Sequence, residues 1–255
     1  MNGIAYLLRR IEAFDAQGVP PPDGDIARFV DVMVGATSAD PRNPSDMLTV
    51  APADADQCLA RCRLLRHLRR SSPHVVTGPL WRDGQYWISR RRPAHLAPGV
   101  PILAEEHFTP VGKLAGKPST KPFRVGLFTC SGVLGAQGMW RVYLDLYGID
   151  SRPWHVWSVG VDSRARIREV ATASDWMDFV HSYATELDGL IFPNWIAASQ
   201  DYDGVHVTAT AIAAVQGLCL ADHDRSLATM HWDVESTFWL RWCFADVQLV
   251  EVVPA

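Results

Sequence analysis

No run in this 255-residue chain approaches the roughly 20 apolar residues that a helical membrane span needs. There is no basic surplus: 24 Lys and Arg stand against 28 Asp and Glu, a formal charge of −4. That balance argues against bulk nucleic-acid binding. Met1-Asn2-Gly3-Ile4 opens without a basic stretch and a long apolar run, so no signal peptide is expected. The five cysteines, Cys58, Cys62, Cys130, Cys219 and Cys243, are odd in number and form no paired framework. This excludes a disulfide scaffold and points to a reduced, cytoplasmic compartment. Cys58 and Cys62 lie one helical turn apart, but neither His67 nor His74 completes a zinc spacing, so helix packing is the expected role and no metal is expected. The chain has no G-x-G-x-x-G fingerprint and no phosphate loop, which removes the main support for Rossmann and nucleotide-triphosphatase folds. A G-x-S-x-G elbow and an internal repeat are also missing.

What is present is an ordinary globular composition, 48% hydrophobic and 20% charged, which excludes disorder for the bulk of the chain. Residues 1–72 read as a helical N-terminal segment. Ile4, Leu7, Leu8, Ile11 and Phe14 keep the helical period, and Gly18 with Pro20-Pro21-Pro22 stops it. A second helix follows Asp25, and a third runs to Arg70. The third carries Arg61, Arg63, Arg66, His67, Arg69 and Arg70. With no aromatic residues interleaved, those cations read as a solvated face suited to the helix dipole rather than a nucleic-acid surface. Arg90-Arg91-Arg92 reads as an exposed loop.

Residues 73–255 read as an α+β domain. Leu80–Ile88 predicts a hairpin about Asp83-Gly84. Phe123–Cys130, Trp140–Tyr147, Pro153–Val161, Arg166–Val170 and Thr237–Val253 predict further extended segments. Ser174 predicts the cap of a helix bearing Trp176, Phe179, Val180 and Tyr183, and Ala209–Gln216 a short helix. Without a regular βαβ rhythm, the expected class is α+β with a mixed, mostly antiparallel core. Most of the tryptophans that crowd the later half are expected in that core, with one or two lining a cleft.

Three strand-end features carry the candidate chemistry: Trp81-Arg82, then Phe128-Thr129-Cys130-Ser131, then Asp233-Val234-Glu235. An arginine fork suits a pyrophosphate. A fixed carboxylate suits the oxocarbenium-like centre that forms as a glycosidic bond breaks. In this order the motifs resemble the arginine–serine–glutamate class of the ADP-ribosyltransferase superfamily, over roughly Val75 to the C-terminus. Thr-Cys-Ser stands in place of Ser-Thr-Ser, and Asp233 stands where Glu or Gln is usual.

The resemblance implies an ADP-ribosyltransferase-like core and NAD as substrate, for ADP-ribosyl transfer to a protein or small-molecule acceptor or for NAD hydrolysis. It implies that Arg82, Trp81 and Phe128 bind the nucleotide, that Ser131 and Thr129 brace the ribose pocket, and that Glu235 is the catalytic carboxylate. His231 and Arg241 flank that glutamate and could position a phosphate. Two rivals stand beside this reading. One is a serine esterase using Ser131, Asp203 and His206, on the D-x-x-H spacing of GDSL/SGNH-type hydrolases. The other is a partner-binding protein without catalysis.

Overall fold

The computed structural model describes residues 48–50, 65, 68–69, 72–89, 104–114, 116–122, 125–133, 137–147, 153–222, 225–228 and 230–254. The helices expected at Ile4–Phe14 and after Asp25, the Cys58–Cys62 pair, Arg90–Arg92 and most of the expected basic helix lie outside the described residues. No described helix is long and apolar enough to cross a membrane.

Twelve strands are described, in an α+β arrangement with a mostly antiparallel main sheet. In chain order they are β1 (Leu48–Val50), β2 (Gln85–Ser89), β3 (Leu127–Ser131), β4 (Trp154–Val161), β5 (Ile167–Val170) and β6 (Ala184–Leu187). There follow β7 (Leu190–Pro193), β8 (Gly204–Val207), β9 (Leu218–Asp222), β10 (Arg225–Leu227), β11 (Ser236–Trp239) and β12 (Phe244–Val253). The helices are α1 (Pro73–Thr77), α2 (Met139–Tyr147), α3 (Ala173–Ser182), α4 (Trp195–Asp201) and α5 (Ala209–Val215). The main sheet runs β12-β4-β2-β3-β11-β8-β5, antiparallel except for β5 with β8. A smaller mixed sheet runs β1-β9-β10-β7-β6.

Strand alternation sorts side chains to the two faces of the main sheet. One face takes Phe238, Val205 and Val207 into the large core, with Trp176 and Phe179 of α3, Trp195 of α4 and Ile212 of α5. The other face takes Trp239, Val159 and Val161, with Leu80 and Phe244. The chain reaches this second face from the helical side at Gly78, where φ is +71°: Val76 belongs to the large core and Leu80 to the second. A side chain at Gly78 would also stand 3.0 Å from Glu169 Oε2.

Three sequence expectations need correction. Trp140–Tyr147 is helical, not extended. Trp140, Tyr143 and Leu144 keep the 3, 4 spacing of one helical face, and Arg141 pairs with Asp145 one turn on. The predicted hairpin over Leu80–Ile88 is a single strand, β2, preceded by a 3-10 turn at Arg82–Gly84. Its first arm does not form because the Leu80 amide is bound by a side chain, Glu169, rather than by a neighbouring strand. The helix α3 begins one residue before Ser174, capped by Thr172, whose hydroxyl accepts from Asp175 N while Asp175 accepts from the Thr172 amide.

Candidate functional site

Register places a polar stripe across the second face of the main sheet. Glu169 lies opposite His206, His206 opposite Thr237, and Thr237 opposite Thr129. Glu235 and Ser131 stand two residues from Thr237 and Thr129 and share their face, and Gln85 lies opposite Ser131. Side chains from β2, β3, β8 and β5, with Glu235 just ahead of β11, therefore meet on one surface. Gln85, Thr129, Ser131, His206, Glu235 and Thr237 are fully enclosed.

The stripe is hydrogen-bonded end to end. Trp239 Nε1 donates to Thr129 Oγ1 (2.8 Å), and Thr129 Oγ1 donates to Gln85 Oε1 (2.7 Å). Gln85 Nε2 donates to Ser131 Oγ (2.8 Å) and to the Trp81 carbonyl (3.1 Å). Ser131 holds Glu235 twice, from Oγ to Oε1 (2.9 Å) and from its amide to Oε2 (3.0 Å). His206 Nε2 meets Glu235 Oε1 at 2.9 Å, and Nδ1 meets Glu169 Oε2 at 2.6 Å. The Leu80 amide closes the chain on Glu169 Oε1 (2.9 Å). Gly204, opposite Trp239, makes room for that indole: a Cβ there would fall 2.7 Å from the ring. Within the stripe, the Thr237 hydroxyl has no hydrogen-bond partner.

The electrostatics follow from this geometry. Burial by itself would depress the His206 pKa. The hydrogen bonds and charges of Glu169 and Glu235 overcome it and push the imidazole up to about 9. At neutral pH His206 is therefore an imidazolium donating from both nitrogens. Partial burial opposes ionisation of Glu169, yet His206, the Leu80 amide and the charge of Arg82 hold its pKa below the usual carboxylate range. Glu169 is the outlet of the network, with 34% of its side chain exposed. Burial and the charge of Glu235 raise the Cys130 thiol far above its usual range, so it is inert as a nucleophile.

Of the residues singled out from sequence, Ser131, Thr129 and Glu235 are brought together, but in an enclosed layer. Ser131 and Thr129 do not border an open ribose pocket: Ser131 clamps Glu235, and Thr129 links Trp239 to Gln85. Arg82 lies toward the Glu169 end, and its guanidinium donates to the carbonyls of Asp162 (2.7 Å) and Ala165 (2.8 Å). Both terminal nitrogens of its fork are thereby bound to the β4–β5 loop. Phe128 stacks on Phe238 at 4.5 Å on the opposite, apolar face, because it is out of phase with Thr129 and Ser131. Trp81 is 46% exposed, edge-on to His74 at 5.0 Å, and its ring covers Gly84.

The esterase set is not assembled. Asp203 accepts from the Arg166 amide (2.8 Å) and pairs with Arg241, while Glu235 stands between Ser131 and His206. Arg241 donates to the Ser199 carbonyl. His231 is driven below its usual pKa by burial, which Lys121 reinforces against Asp233. Sequence reasoning missed Glu169 and Gln85. Each sits in its strand without a motif around it, and only the pairing of β5 with β8 and of β2 with β3 gives it a role.

Among the described residues no cluster of three or more His, Cys, Asp or Glu is placed to hold a metal ion. Comparison of the chain with family models, with characterised proteins and with solved structures finds no match.

Proposed function

We propose that the protein cleaves the nicotinamide–ribose bond of NAD, by ADP-ribosyl transfer or by hydrolysis, with Glu169 as the carboxylate that faces the substrate. The observation that carries this reading is the partly exposed, anionic Glu169, held by the Leu80 amide and by an imidazolium that is itself held by Glu235. A carboxylate fixed in advance and partly desolvated stabilises positive charge far better than one free in water. The indole of Trp81, one residue beyond the Leu80 amide, offers a plane for a flat cationic ring such as nicotinamide. In the reaction, the C1′–N bond breaks with its electron pair leaving on nicotinamide. Glu169 stabilises the ribosyl cation, and water or an acceptor adds at C1′ and gives up its proton to Glu169 or to solvent. Glu235, clamped by Ser131, and His206 act as positioning residues behind Glu169.

Nicotinamide release by the parent and by Glu169→Gln tests this. Loss of one preorganised charge is expected to lower turnover about a hundredfold or more, with NAD affinity by calorimetry changing far less. A parent that neither binds NAD nor releases nicotinamide overturns the reading and leaves the stripe a purely structural network. A Glu169→Gln protein that turns over like the parent overturns the role of Glu169.

A further inference from the structure

Glu235 enters the stripe through a tight turn. The Val234 amide donates to the Trp232 carbonyl at 2.7 Å, closing a three-residue turn about Asp233, whose φ is +64°. Such a turn is rare and strained for a residue with a side chain, so its surroundings must hold it. Two side chains do so from the helical side of the sheet. Gln216 accepts the Trp232 amide on Oε1 and donates Nε2 to Asp233 Oδ1, both at 2.9 Å. Lys121 Nζ donates to the Trp232 carbonyl at 3.0 Å and stands 3.7 Å from Asp233 Oδ2.

Lys121 is unusual for a lysine. Its side chain is 6% exposed, and its ammonium lies 4.7 Å from the Trp140 ring centre and 5.6 Å from that of Phe128. Burial pushes its pKa down to about 8 in spite of Asp233, and His231 is the other titratable group that feels its charge. A buried ion pair seldom stabilises a fold better than an apolar replacement of equal size, so stability alone gives little reason for a lysine here. Its Nζ donates to the carbonyl that closes the turn, and a lysine amine keeps N–H donors for that bond after it loses its charge, at the pH where His206 titrates.

We propose that Lys121 is a positioning residue for Glu235, holding from the helical side of the sheet the turn that delivers this carboxylate to His206 on the other. The proposal rests on the reading of Glu235 as a support of the site, but its readout needs no NAD. Nitrogen-15 NMR of the His206 ring in the full chain reports the grip of Glu235 on the imidazole. In the parent both ring nitrogens are expected to stay protonated until about pH 9. In Lys121→Met the midpoint is expected to fall by about one pH unit or more, a tenfold loss of proton affinity. A folded Lys121→Met protein with an unchanged His206 midpoint overturns the proposal. If that variant does not fold, Gln216→Leu, which frees the same turn, carries the same expectation and the same overturning result. Asp233→Asn keeps the residue's shape and tolerance of positive φ and removes its charge, so the midpoint is expected to stay parent-like. A shift as large as that of Lys121→Met would mean that the ion pair, not the turn, is what His206 senses, and overturns the proposal. Nicotinamide release on the same samples is independent: an inactive parent with the expected His206 shifts overturns the function and not the role of Lys121.

Discussion

The two faces of the main sheet are built from alternate residues of the same strands, and they are held in opposite ways. On β11, Phe238 goes to the aromatic core and Thr237 to the polar stripe. On β8, Val205 and Val207 go to the core and His206 to the stripe. The core is non-directional: Phe128 stacks on Phe238, and Trp195 meets Phe238 edge to face. Its losses are graded by volume. The stripe is directional, a chain of single donors and acceptors ending in two carboxylates that share one imidazolium. Its losses depend on charge state, and they pass to whatever stands next in the chain.

The largest effects test whether the two faces really differ. Phe238→Ala and Glu235→Ala should each cost about 3–5 kcal/mol, the first by opening a cavity and the second by leaving a buried cation short of a partner. Urea unfolding at pH 7 and at pH 9.5 separates them. The Phe238 difference should be the same at both, whereas the Glu235 difference should shrink once His206 loses its proton. Equal behaviour of the two variants at both pH values would erase the distinction.

The pH profile of the parent sharpens the point. The folded His206 pKa, about 9, lies above its ordinary 6.5, so its contribution to stability is fully present below 6.5 and is lost as pH rises through 9. Lys121 runs the other way. Its pKa is depressed from 10.5 to about 8, so its contribution is present above 10.5 and is lost as pH falls through 8. His206→Asn should flatten the alkaline fall, and Lys121→Met should remove the opposing rise, both read from unfolding midpoints across pH 6–11.

Smaller effects locate the ends of the network. Trp239→Phe keeps a ring beside Phe244 but removes the donor to Thr129, for a loss of about 1 kcal/mol in chemical unfolding. Leu249→Ser on β12 removes a side chain that is 45% exposed and belongs to neither face's interior, and should shift stability by no more than about 0.5 kcal/mol.

Much of the fold was legible locally. Alternation over Pro153–Val161 predicts the strand found at Trp154–Val161, the β-rich end Thr237–Val253 holds β11 and β12 with a break between them, and the stripe of Trp176, Phe179 and Val180 marks α3 as a helix. Trp140–Tyr147 was misread because its aromatic content favours a strand while its spacing is helical, and spacing decides when one face is buried against a core.

The site divides the same way. The chain alone determines that Thr129 and Ser131 share a face, that Asp233 and Glu235 sit ahead of a strand, and that His206 lies among valines, since each follows from residue spacing within one element. Tertiary structure alone decided that His206 answers to Glu169 and Glu235 rather than to Asp203, that Arg82 binds backbone carbonyls, and that Glu169 is the exposed end of the chain of bonds. The reason is physical. A side chain's spacing names the face it occupies, but its partners in the stripe stand across strand pairings up to 110 residues apart in sequence, and neither register nor burial is written into any local segment.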